Sequence, residues 1–169
     1  GFAEKILNVR EKLPLLTRTI FIIGKITGDS GTGSDFISTI AEDAALPEEA
    51  RCAAIETTSI KEVGYYENLL NENNDTINAS VFKAIANLAD MEMEKYRERE
   101  GNDLFTVLPD ENDRVLLDIR VLLGKHSIRF DSASNDAKTA FILAMISCGH
   151  REYIIYSMKA LTSAATGLI

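Results

Sequence analysis

Cysteine is scarce in this chain: Cys52 and Cys148 are the only two among 169 residues. Two thiols cannot staple a disulfide scaffold, so a reducing compartment is expected. Long hydrophobic runs are missing as well. The longest, Ala140 to Cys148 and Tyr153 to Tyr156, are separated by Gly149-His150-Arg151-Glu152. Neither approaches the roughly 20 apolar residues that span a bilayer. No basic segment followed by an apolar core opens the chain, which predicts no secretory signal, and both ends read as trimmed. Without that signal, the sequons at Asn74-Asp75-Thr76 and Asn78-Ala79-Ser80 read as helix-boundary chemistry rather than glycan sites. Two-residue alternation is absent, and so are Asn-Gly and Asp-Gly dipeptides, which argues against β-hairpins.

Metal-ligand spacing is also lacking. Cys52, His126, Cys148 and His150 supply donors, yet none forms the paired C-x-x-C or H-x-x-x-H pattern of a zinc site. There is no Glu-x-x-His for a di-iron bundle. Asp110-Glu111-Asn112-Asp113 lacks the glycine of a calcium loop and has Arg114 where a ligand should sit. Gly28-Asp29-Ser30-Gly31 spells the nucleophile loop of chymotrypsin-like proteases, but both histidines follow the serine and the flanking pattern is helical. Gly28 to Gly33 has the glycine spacing of a phosphate loop, with Ser34 in place of the lysine and a helix rather than a strand before it. The stretch therefore reads as a joint between helices. No enzymatic activity and no cofactor are expected.

What remains is a chain with 46% hydrophobic and 26% charged residues, ordinary for a globular protein. Its periodicity is helical throughout and predicts an all-α fold of roughly eight helices in two small packed lobes. Phe2 to Lys12 and the stretch after Leu13-Pro14 form the first two helices. Ser34 is the expected N-cap of Asp35 to Ala45, and Pro47 opens the next helix with Glu48 and Glu49 in its first turn. Ser59-Ile60-Lys61-Glu62 fits a capping box for a helix reaching Glu72. Asn73-Asn74-Asp75 reads as a linker that divides an N-terminal domain, residues 1–74, from a second, residues 75–169. A long helix is expected from Asn78 to Glu100, stopped by Gly101, with its last turns from Glu92 solvated. Pro109 or Asp110 begins a helix whose Val115 to Leu123 core is apolar nearly all round and should be buried. Ser134 or Asn135 caps Asp136 to Cys148, Gly149 is a fitting C′ residue, and Arg151 to Thr166 forms the last helix.

Charge is unevenly laid out. Residues 1–28 carry +3, residues 29–113 carry −14 and residues 114–169 carry +3, within a total of −8. Basic ends around an acidic middle disfavour uniform binding to nucleic acid and favour head-to-tail attraction between copies.

The run from Gly149-His150 through Ser157-Met158-Lys159-Ala160-Leu161-Thr162-Ser163 to Gly167-Leu168-Ile169 is similar to a helix in orthomyxovirus matrix proteins. There, a His-Gly pair and an acidic residue precede a Ser-x-x-Ala-Leu-x-Ser segment ending in Gly-Leu-Ile. Leu13-Pro14-Leu15-Leu16-Thr17-Arg18 also resembles a leucine-threonine-basic segment of that family. The resemblance covers about twenty residues and implies a divergent, isavirus-like member. Such a protein is structural: it polymerises beneath the viral envelope, touches anionic lipid and links the membrane to the viral ribonucleoprotein. Its place would be the inner face of the virion envelope, and the host cytoplasm and membranes during infection. Phe141 to Ile146 stands where influenza-type proteins have a basic cluster, which puts direct RNA binding and nuclear import through that motif in doubt. Membrane or self-association contacts then fall to Lys5, Arg10, Lys12, Arg18, Lys25, Arg114, Arg120, Lys125, Arg129, Lys138, Arg151 and Lys159. The competing expectation is a helical adaptor or effector module that holds a partner protein.

Overall fold

Twenty-six residues in one uninterrupted helix, Asp75–Glu100, form the spine around which the rest is arranged. The computed structural model describes residues 17–20, 22–23, 31–58, 60–100 and 113–149. The expected helices at Phe2 to Lys12 and Arg151 to Thr166, the Gly28–Ser30 stretch, the Gly101 stop and the Pro109 start lie outside those residues.

Among the described residues every regular element is helical, as the periodicity predicts, but seven elements are delimited rather than eight. In chain order they are α1 (Gly31–Glu42), α2 (Glu48–Thr57), α3 (Val63–Leu70), α4 (Asp75–Glu100), α5 (Arg114–His126), a 3-10 turn (Ser127–Ser132) and α6 (Asn135–Ser147). Residues 17–20 and 22–23 are helical too. Helices α2, α3, α5 and α6 all pack on α4, most extensively α6, while α1 packs on α2. At about 1.5 Å per residue α4 is about 39 Å long, enough to offer each neighbour its own stretch.

The middle of α4 is buried nearly all round. Val81, Phe82, Ala84, Ile85, Ala86, Leu88 and Ala89 are inside, and Lys83, Asn87, Asp90 and Glu94 form an outward stripe, with Met91 exposed beside it. That is the pattern of a helix with partners on several sides. Alanines on α2 (Ala53, Ala54), α4 and α6 (Ala137, Ala140, Ala144) are buried, and such small side chains let helix axes approach closely. Towards its end α4 still buries Met93 and Tyr96 between the charges that were expected to be solvated. One cluster of buried residues runs from Ile20 to Cys148 and includes side chains from both sides of Asn74.

Several boundaries differ from expectation, each for an identifiable physical reason. Gly31 to Ser34 are helical, so Ser34 lies inside α1 instead of capping it. Burial of Ile37, Ile40 and Ala41 in the core offsets the roughly 1 kcal/mol that each helical glycine costs. The long helix begins at Asp75, three residues early, because Asn74 caps it: its Oδ1 accepts from Thr76 N at 2.9 Å and Ile77 N at 3.2 Å. Asn73, at φ 56°, makes the left-handed turn that precedes it. The supposed capping box does not start α3, which begins at Val63 with Glu62 at its cap and no side-chain cap bond. Tyr66 Oη donates to Ile60 O at 2.8 Å and holds the preceding segment off the helix. Helix α5 is one-sided rather than apolar all round. Leu116, Ile119, Leu122 and Leu123 are buried, whereas Val121 is 59% exposed. The α6 boundaries agree with the sequence: Ser134 Oγ accepts from Ala137 N at 3.2 Å, and Gly149 has φ 74°.

Candidate functional site

The twelve basic residues singled out from the sequence do not converge on one face among the described residues. Arg18 and Arg114 are exposed. Arg114 opens a stripe on α5 that continues through Asp118, Val121 and Lys125, all exposed and spaced by three or four. Acidic partners dilute it: Arg114 Nε lies 3.6 Å from Asp118 Oδ2, and Lys125 Nζ lies 3.0 Å from Glu67 Oε1. Lys138 Nζ donates to Asp131 O at 3.0 Å and sits 5.9 Å from the Phe130 ring centre. Arg120 points inward. Its Nε and NH2 groups donate to Cys148 O at 2.9 and 2.6 Å, closing the last turn of α6 where carbonyls lack helical partners. Lys5, Arg10, Lys12, Lys25, Arg151 and Lys159, and the side chain of Arg129, lie outside what is described.

Sequence reasoning passed over Arg51, which is 4% exposed in the middle of α2. Its Nε donates to Ala41 O at 2.8 Å and its NH2 reaches Glu72 Oε1 at 2.6 Å. One guanidinium thus joins the end of α1 to the turn after α3. Nearby, Tyr65 has its phenol pushed up by burial, with Glu42 adding to the shift. Tyr66 is pushed up by burial too, so both stay neutral well past the usual range.

Glu56 gathers a second polar group: Ser80 Oγ and Lys83 Nζ donate to its Oε1 at 2.9 and 3.0 Å. Burial raises the Cys52 thiol beside them above its usual value, which keeps it protonated and a poor nucleophile. Cys148 is buried, and its Sγ donates to Met145 O at 3.3 Å. Among the described residues no group of three His, Cys, Asp or Glu side chains is placed to hold a metal ion. No described helix is long and apolar enough to cross a membrane.

One concave feature of the described residues is a cleft of about 170 Å³ where the starts of α4 and α6 meet the 3-10 turn. Phe82 of α4, Phe130 of the turn and Phe141 of α6 line it, with Asn73, Asp75, Asn78, His126 and Ala137. The Phe82 and Phe141 rings meet edge to face, centroids 5.1 Å apart, and Phe130 lies 5.5 Å from Phe141. The rim is tied shut on one side, where Ser134 N donates to Asp75 Oδ2 at 2.6 Å. No sequence signal pointed here, because the three phenylalanines are spread over 60 positions and meet only when α6 folds back along α4.

Compared with known protein families, with curated proteins and with solved structures, the chain matches none.

Proposed function

We propose that this chain is a structural, self-assembling helical protein of the viral-matrix kind, with no enzymatic activity. In this reading it polymerises beneath an envelope, contacts anionic lipid and connects the membrane to the ribonucleoprotein. The observation that carries it is a pair of outward apolar side chains on α6, Leu143 and Ile146, 51% and 47% exposed. Leu143 and Ile146 are three apart, so they share a face that a second copy could cover. The +3, −14, +3 charge layout supports a head-to-tail contact, since complementary patches on one chain build open arrays when the rotation does not close. The similarity of residues 149–169 to the orthomyxovirus matrix helix points the same way.

Sedimentation across concentration and salt tests it. The weight-average mass should rise with concentration at low salt and fall as salt screens exposed pairs beyond about 8 Å. The double variant Leu143→Glu, Ile146→Glu should remain monomeric, and flotation with phosphatidylserine vesicles should follow polymerisation, because each basic contact contributes only about 1 kcal/mol. A wild-type chain that stays monomeric at high concentration and low salt removes this reading. The helical-adaptor reading would then stand, and the aromatic cleft is the observation that favours it.

A further inference from the structure

We infer that the cleft between the starts of α4 and α6 is a binding site for a flat aromatic ring that carries one N–H donor, with indole as the fitting class. Size and lining both support this. About 170 Å³ is close to the roughly 150 Å³ of an apolar cavity that accepts a single benzene ring, so one ring enters and a fused partner reaches the open side. Phe82, Phe130 and Phe141 present edges and faces at angles of 83° and 49° to one another, an arrangement into which a further ring can stack or insert its edge.

The polar requirement comes from Asn78. It lines the cleft, and its Oδ1 is buried without a hydrogen-bond partner. A buried acceptor left unsatisfied costs free energy in the empty protein, and a ligand donor that reaches it recovers that cost. The terminal torsion of an asparagine is broad and soft, so the amide can turn its oxygen toward an occupant. Indole N–H is a donor with no acceptor of its own, so it can meet the Asn78 oxygen without leaving an acceptor unsatisfied on the ligand. The Asp75 carboxylate at the rim and the net charge of −8 disfavour anionic rings. Tryptophan is absent from this sequence, so these 169 residues in a second copy offer no indole.

Titration with indole and with 1-methylindole, followed by backbone amide shifts at residues 73–82 and 130–141, tests the site on the intact chain. Indole should saturate and bind about tenfold more tightly than 1-methylindole, which fills the same space without the donor. Asn78→Leu should abolish that preference while retaining 1-methylindole. The wild-type comparison decides the matter even where the variant does not fold. Because the chain has no tryptophan fluorescence of its own, N-acetyltryptophanamide and a tryptophan-bearing helical peptide can be compared by emission. Tighter binding of the peptide supports a partner's side chain as the source, and equal binding supports a small indole. Shifts that do not saturate, or equal affinity for indole and its N-methyl analogue, overturn the assignment.

Discussion

The contact between α4 and α6 is apolar, whereas the junction of α1, α2 and α3 adds a buried charge to its apolar packing. At the first, α6 turns inward Ala137, Ala140, Phe141, Ala144 and Met145, spaced by three, four or one, and Phe82 meets Phe141 across the gap. At the second, apolar side chains such as Ile37, Ile40 and Ala54 are joined by a buried guanidinium, with partners 10 and 21 positions away in sequence. The apolar contact tolerates change according to volume. The charged one depends on geometry, because removing either partner leaves a buried polar group unsatisfied.

The largest effect should come from emptying the apolar contact. Phe141→Ala removes a ring that touches both Phe82 and Phe130 and should cost about 3–5 kcal/mol, read as a lower denaturant midpoint with little change in slope. Phe141→Leu, which keeps most of the volume, should cost clearly less. A loss of similar size for both would mean that ring geometry, rather than filled volume, holds α6.

Arg51→Ala should follow at about 2–4 kcal/mol, below the full figure for a buried pair because the Glu72 side chain is 32% exposed. Its companion sharpens the comparison. Arg51→Met with Glu72→Leu replaces the pair by apolar volume and should recover much of the loss, though Ala41 O still loses its donor. If Arg51→Ala alone changes the midpoint by under half a kcal/mol, the junction is held by its apolar neighbours and the contrast between the two contacts fails.

The smallest effects belong to two adjacent tyrosines. Tyr66→Phe loses the bond to Ile60 O and should cost about 1 kcal/mol, whereas Tyr65→Phe removes a buried hydroxyl without a partner and should be neutral or slightly stabilising. Alkaline pH separates them from the core. Burial raises both phenols above their ordinary 10.0, so the unfolded chain ionises first and stability falls as pH rises past about 10. Replacing both residues should flatten that decline, which a series of melting curves between pH 8 and 11 would reveal.

Periodicity and turn chemistry were enough to establish the helical class, the starts after Pro47 and Ser134, and the Gly149 stop. These are local matters: a proline at the cap position just before the first turn, a hydroxyl cap and a positive φ act within a few residues. Tertiary packing decided the rest. It drew Gly31 to Ser34 into α1 and turned one face of an apolar α5 out to solvent, whereas the start of α4 at Asp75 is a local matter set by the Asn74 cap. It also took Arg120 out of the set of exposed basic residues and set it on the end of α6, and it buried Arg51. Above all it made the cleft. Phe82, Phe130 and Phe141 belong to three elements, and no local rule relates them, because their meeting depends on how α6 returns along α4.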